Sequence, residues 1–239
     1  MVQRADPRIE IIFSFLFAVE MAISHRWPVV FFGLFTGAAL AFYFKVSFMK
    51  LLKRLLLADL FLLLVILTLP FTTPGKTWFE LGPLSLSREG LALALLIFAK
   101  SNAVLLTTYV LLGERSVFEL AHALHHLRVP SKLVQLLFFT CRYLSLLERE
   151  FRRLLEAAKL RGFTPQTALR SYRTFAYLMA SLFLRSYDRS LRVYEAMVLR
   201  GYRGYFPVWH HFLWRRRDTF WALGAGAYLL LLASLPHIL

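Results

Sequence analysis

Arg153-Leu-Leu-Glu156-Ala157-Ala-Lys-Leu160-Arg161-Gly162-Phe163 is answered 39 residues later by Arg192-Val-Tyr-Glu195-Ala196-Met-Val-Leu199-Arg200-Gly201-Tyr202. The shared pattern is R-h-x-E-A-x-x-L-R-G-aromatic, with h an apolar residue. No Gly or Pro interrupts residues 131–161 or 166–200. Each copy therefore reads as the end of a long helix that stops at a left-handed glycine, with an arginine at its carbonyl tip. A single such arginine is accounted for by the helix dipole and the loose carbonyls it complements, worth up to ~1 kcal/mol. Capping asks for no matched Glu-Ala pair upstream and no aromatic after the glycine. Two equivalent tips on one chain suggest two equivalent receptors, such as the halves of a dimeric partner.

Composition says what surrounds these tips. The chain has 239 residues, is 58% hydrophobic and has a mean hydropathy of +0.56, which no ordinary soluble domain shows. A formal charge of +15 on so apolar a chain marks a polytopic membrane protein with basic cytoplasmic parts. Nucleic-acid binding would explain the charge but not the apolar runs. The single cysteine, Cys141, excludes an internal disulfide and a multi-cysteine metal site. Residues 1–10 are polar and charged and run into further apolar sequence, so no cleavable signal is expected.

The expected fold is an all-α polytopic membrane protein with about five transmembrane helices and long amphipathic cytoplasmic helices. Four spans fall at 9–24, 28–44, 55–70 and 89–112 in an N-terminal region 1–112. A coupling-helix region at 113–217 and a last span at 218–239 follow. The first span is short and carries Glu10 and Glu20 at its ends; Trp27 opens the second as an interfacial anchor. Gly33 and Gly37 form a small-xxx-small pair suited to close helix approach. The connection at 71–88 contains short alternating pieces around Gly82-Pro83 that suit a small hairpin.

Charge asymmetry orients the spans. The loop expected at 45–54 carries four basic residues and no acidic one, and 113–217 carries 19 Lys/Arg against 7 Asp/Glu. Both are expected inside, with the connections at 24–28 and 71–88 outside, the N-terminus cytoplasmic and the C-terminus external. The basic segment is amphipathic: Val117, Leu120, Leu124 and Leu127 form one apolar row, capped at Ser116, and Leu133, Leu136, Leu137, Leu144, Leu147 and Phe151 continue beyond Pro130. Such a stripe fits either the inner membrane surface or a packed bundle.

Three features invite a chemical reading. His122, His125 and His126 have i, i+3, i+4 spacing, but no carboxylate or cysteine completes a metal set. Asp59 and Lys100 are ionisable groups inside apolar spans, where function is the default suspicion; they lie at different depths, so a direct pair would need snorkelling, and the alternative is that each satisfies a backbone or amide group, with Asn102 close by. Glu148 and Glu150 have no catalytic companion. The sequence contains no Walker A loop, no H-E-x-x-H and no G-x-S-x-G, and no enzyme is read from it.

Paired helix ends of the form X-Arg-X, here Leu160-Arg161-Gly162 and Leu199-Arg200-Gly201, resemble the coupling helices of the transmembrane T component of energy-coupling factor (ECF) ABC transporters, the EcfT/CbiQ family. The resemblance extends to Asp6-Pro7-Arg8, to Leu69-Pro70-Phe71-Thr72-Thr73-Pro74-Gly75 and to the stretch from Leu120 to Pro130, which look most like the CbiQ-type members serving cobalt or nickel uptake. Leu stands at the first X where many members carry Ala. The resemblance implies a scaffold in a bacterial or archaeal plasma membrane, bridging two cytoplasmic ABC ATPases and a separate substrate-binding S component. It implies Leu160, Arg161, Gly162, Leu199, Arg200 and Gly201 as ATPase-coupling residues, supported by Glu156, Ala157, Glu195 and Ala196. It also implies that no cofactor is bound here, ATP and Mg2+ belonging to the ATPases, and that the substrate is cobalt, nickel or a vitamin. Two rivals are a stand-alone membrane enzyme or carrier, for which Asp59, Lys100 and Asn102 are a thin supply of polar groups, and a membrane-tethered nucleic-acid binder.

Overall fold

A computed structural model describes residues 6–74, 77–81, 84–204 and 216–238. The chain forms two compact units, Met1–Leu120 with Phe212–Leu239, and Ala121–His211.

The first unit contains α1 (Pro7–Ile23), α2 (Trp27–Tyr43), α3 (Phe48–Thr72), a two-stranded antiparallel hairpin of β1 (Thr77–Leu81) and β2 (Leu84–Ser87), α4 (Arg88–Leu112), the start of α5 (Val117–His126) and, after α6 (Ser131–Leu160) and α7 (Leu169–Leu199) of the second unit, α8 (Arg216–Ile238). The Asp6-Pro7 opening has a local cause. The Asp6 carboxylate accepts the Arg8 N–H at 3.0 Å and Pro7 fills the first helical position, where its missing N–H costs nothing. Asp218 in the first turn of α8 in turn accepts the Asp6 N–H at 3.2 Å, fastening the start of α1 to the start of α8.

Helix α4 is the centre of this unit, packing against α1, α2 and α3, while α8 lies on α1 and α2. Phe17, Met21, Val29, Ala103 and Leu232 form the core. The glycine pair on α2 does what its spacing predicts: a Cβ on Gly37 would collide with Leu106 and lie 3.0 Å from the Thr107 hydroxyl, and one on Gly33 would lie 2.8 Å from the Met21 sulfur. Gly90 in α4 allows equally close approach to the Pro70 backbone, and Ser87 caps α4 through Gly90 N–H while donating to the Pro70 carbonyl.

One boundary differs from the sequence expectation. Only Phe44–Ser47 connect α2 to α3, so Lys50, Lys53 and Arg54 stand on α3 and not in a loop. Phe48–Leu55 contains no helix breaker, and its lysines and leucines favour helix as strongly as the apolar run behind them. Arg54 then finds a partner within the helix pair, its guanidinium 4.3 Å from the Tyr109 ring centre.

Among the described residues, α3 and α4 are long and apolar enough to cross a membrane. Helices α1 and α2 have 17 residues each, short of the ~20 needed for a perpendicular span. Helix α3 turns a stripe through Leu51, Leu55, Asp59, Leu62, Ile66 and Pro70 inward, half-buried or buried, and exposes leucine and phenylalanine over the rest of its surface, as a lipid-facing helix does.

The second unit is dominated by α6 (Ser131–Leu160) and α7 (Leu169–Leu199). They run antiparallel: Glu150 meets Arg185 at 2.7 Å midway, Phe163 meets Phe175 at one end and Tyr202 meets Gln135 at the other. Among the described residues of this unit only Ala121, Ala123, Val134 and Ser171 are buried. The apolar stripe is therefore not consumed by packing within the chain. Leu136 and Leu144 are each 63% exposed, and Phe183 on α7 is 72% exposed.

Candidate partner-docking site

The two repeats end in the same backbone geometry. After α6, Arg161 has φ −88° and ψ 16°; after α7, Arg200 has φ −89° and ψ 12°. Gly162 and Gly201 follow at φ +84° and +83°, in the left-handed region that a side chain disfavours. The Gly162 N–H donates to Lys159 O at 2.9 Å and the Phe163 N–H to Ala158 O at 3.1 Å; the second copy repeats this with Gly201 to Val198 at 2.9 Å and Tyr202 to Met197 at 3.0 Å. This pair of bonds is the Schellman motif, which closes the last turn and leaves the preceding arginine at the very tip.

That motif also explains the aromatic, which the sequence left as a feature beyond capping. The residue after the glycine supplies the apolar contact that seals such an end. Phe163 packs edge-on against Phe175 at 5.5 Å, and the Tyr202 hydroxyl donates to Gln135 Oε1 at 2.6 Å. Each tip is thus pinned to the other helix, and neither is a frayed end.

Of the rest of the pattern, Arg153 stands 4.0 Å from Glu150 and Leu154 and Val193 are half-buried, whereas the residues beside the glycines stay outside the packing. Arg161 and Arg200 are exposed and make no hydrogen bond or ion pair among the described residues. Leu160 is 90% and Leu199 87% exposed. Glu156, Ala157 and Glu195 are exposed and Ala196 is half-buried. At each tip an exposed leucine thus stands beside a guanidinium that has no partner among the described residues, on a closed helix end.

Because α6 and α7 are antiparallel, the two tips lie at opposite ends of the pair. Counting along α7 from Phe175, beside the first tip, to Arg200 gives a separation on the order of 35 Å at 1.5 Å per residue. The ends differ in their surroundings. A crevice of about 800 Å3 at the first is lined by Arg161, Arg170 and Arg185 with Ser171, Thr174 and Ser181. Towards the second, a crevice of about 480 Å3 is largely apolar, with Phe139, Tyr143, Leu147 and Met197.

The other singled-out residues fall into structural roles. Asn102 donates to the Asp59 carboxylate at 2.9 Å, joining α3 to α4, and Lys100 reaches Ala22 O at 3.5 Å. Glu148 pairs with Arg152, and Glu150 with Arg185, whose hydrogen bond holds the Glu150 carboxyl below its usual range. Among the described residues no group of three or more His, Cys, Asp or Glu is placed to hold a metal. Sequence reasoning did not find one buried ion pair. Arg115, just after α4, donates to both Glu10 oxygens at 2.8 and 2.9 Å. Burial works against its charge, but the hydrogen bonds it donates to Glu10 and the negative charge of that carboxylate outweigh this and push its pKa up. The two residues are 105 apart in sequence, and no local pattern announces the contact.

The sequence model of the CbiQ family, described as cobalt transport protein, matches residues 1–209. The chain belongs to the CbiQ family. Curated relatives of this CbiQ-family chain include the energy-coupling factor transporter transmembrane protein EcfT of Exiguobacterium sibiricum, 27% identical over the whole of this chain and 93% of the relative. The EcfT proteins of Listeria innocua, at 27% identity, and Macrococcus caseolyticus, at 24%, each match 85% of this chain and 81% of their own length. The match therefore covers both units, including the helices that carry the two arginine tips.

Proposed function

We propose that this chain is the energy-coupling transmembrane component of an ECF-type ABC importer. It transmits the motion of two cytoplasmic ABC ATPases to a separate membrane subunit that captures the substrate. The observation that carries this reading is the pair of geometrically identical, exposed Leu-Arg-Gly tips at opposite ends of one antiparallel helix pair. Two tips roughly 35 Å apart suit one partner each. Leu160-Arg161-Gly162 and Leu199-Arg200-Gly201 are then the docking residues, with Glu156, Ala157, Glu195 and Ala196 flanking them.

In this reading the chain spans the membrane five times, through α1, α2, α3, α4 and α8, with a cytoplasmic N-terminus and an external C-terminus. Binding to a bilayer and to proteins accounts for the basic charge, and nucleic acid is not a partner. ATP and Mg2+ are bound by the ATPases and not by this chain, which has no phosphate-binding loop and performs no catalysis itself. When ATP draws the two ATPases together, helices fixed by charge-assisted bonds at their tips are displaced relative to each other. The exposed apolar faces of α6 and α7 carry that displacement to the substrate-binding subunit. Coupling then runs through a discrete two-state element whose equilibrium both ATP and substrate bias.

The family description favours cobalt, or the chemically similar nickel, as substrate. The test is coexpression with the ATPases and substrate-binding protein of the same organism, purification through a tag on one ATPase, and uptake of cobalt and nickel by reconstituted vesicles. This chain is expected to copurify and to be required for ATP-driven uptake, with no ATP hydrolysis when purified alone. ATP hydrolysis by the isolated chain, or uptake without it, contradicts the proposal.

A further inference from the structure

The histidine cluster on α5 is not absorbed by the coupling role. His122 and His126 stand one helical turn apart on the same face, with their Nε2 atoms 3.2 Å from each other and their rings crossed at 74°. The neighbouring His125 is exposed, with its ring centre 6.0 Å from that of His126.

The spacing is informative. Bonds of 2.0–2.1 Å from a divalent transition metal to two imidazoles at 90–110° place the two nitrogens about 2.8–3.4 Å apart. The observed 3.2 Å lies inside that interval. We infer that His122 and His126 form a two-imidazole chelate for a divalent transition metal on the surface of α5, through both Nε2 atoms. As a simple hydrogen bond, one Nε2 must carry the proton and the other accept it. On metal binding both rings are neutral with their protons on Nδ1, and the metal takes the place of the shared proton.

Imidazole nitrogen selects Ni2+, Cu2+, Zn2+ or Co2+ over Mg2+ and Ca2+, which prefer oxygen. Two imidazole ligands do not close a tetrahedral set, so the site is weaker than a closed structural centre. The chelate joins consecutive turns and so rigidifies α5. This inference does not depend on the coupling reading.

The experiment is equilibrium dialysis of the untagged full-length chain in detergent against Ni2+ alone. His122→Gln and His126→Gln keep size and hydrogen-bonding capacity but lose one imidazole each. Each should weaken the tightest Ni2+ site about tenfold or more, the scale of one lost ligand. His125→Ala should bind as the parent does, and His126→Glu, which restores a ligating atom, should recover part of the loss. A visible absorption spectrum of the Co2+-loaded parent that changes in His122→Gln gives a second readout. Equal Ni2+ affinity in the parent and both Gln variants, or no Ni2+ bound by the parent above the His122→Gln/His126→Gln double variant, overturns the assignment.

Discussion

Replacing Glu10 by Gln tests the buried pair that fastens α1 to the segment following α4. The substitution keeps the volume and removes the charge, so the Arg115 guanidinium is left facing an amide that meets its two donors with one acceptor. Both side chains are well covered, at 3% exposure for Glu10 and 14% for Arg115. Breaking a fully buried ion pair from one side costs about 3–5 kcal/mol, because the remaining charge stays desolvated. Two features reduce that here: Arg115 keeps some solvent contact, and Glu119, half-exposed, stays 3.5 Å away. A cost of roughly 2–3 kcal/mol follows, since an exposed second partner contributes only about 0–1 kcal/mol. For a chain of this size that lowers Tm by roughly 5–10 °C, read by intrinsic fluorescence in detergent. Arg115→Lys should fall between parent and Glu10→Gln, keeping the charge but losing the bidentate fork. The joint change Glu10→Leu with Arg115→Met should recover most of the loss, because no charge is then stranded. A Glu10→Gln variant that melts within a degree of the parent, or a double variant whose loss is the sum of the singles, refutes the reasoning.

Gly162→Ala and Gly201→Ala should each cost about 1–2 kcal/mol of backbone strain, because the space beside both glycines is empty and only the positive φ opposes a side chain; Asn should be tolerated better, and ATPase copurification with equal strength for Gly, Ala and Asn counts against the tip geometry. The Arg185–Glu150 pair has a depressed carboxyl pKa in the folded state, so its contribution is present at neutral pH and is lost as pH falls through that lowered value. A double-mutant cycle with Glu150→Gln and Arg185→Gln should therefore show coupling at pH 7 that fades in acid and in salt; coupling that persists in both is the contrary result. For topology, Cys141 should resist an impermeant thiol reagent on intact cells, whereas a cysteine introduced at Glu80 in the hairpin of a Cys141→Ser chain should react; external labelling of Cys141 reverses the orientation.

The parts of the fold legible in the sequence are those fixed by local chemistry. Helix ends at Gly162 and Gly201 announce themselves because only glycine takes that backbone easily, and Gly33 and Gly37 because no other residue lets α2 come so close to its neighbours. Pro and Gly around residues 74–83 mark the hairpin connection. The Glu10–Arg115 pair is invisible because tertiary packing alone brings together residues so far apart in sequence. The charges at the start of α3 speak for position relative to the membrane and suggest a loop, whereas helix formation depends on propensity and the absence of breakers. For the two arginine tips the sequence supplied the residues and the duplication. It did not supply the exposure of Leu160 and Leu199, the role of Phe163 and Tyr202 in sealing the ends, or the opposite placement of the tips. Those depend on α6 and α7 pairing antiparallel, which a repeat alone leaves undetermined.

The central claim is tested most directly by removing the two guanidinium groups. Arg161→Ala, Arg200→Ala and the double variant are compared for ATPase copurification and for substrate uptake in reconstituted vesicles, with Arg→Lys at each position as a control. Loss of a contact that strands a buried partner charge costs roughly 2–5 kcal/mol, whereas loss of dipole complementation costs about 0.3–1 kcal/mol and shows only as fraying. Each single variant should weaken the complex and the Lys forms should rescue it in part. The double variant should lose the ATPases or hydrolyse ATP without uptake. A double variant that binds the ATPases and supports uptake like the parent contradicts the account, and the two arginines are then only the ends of helices.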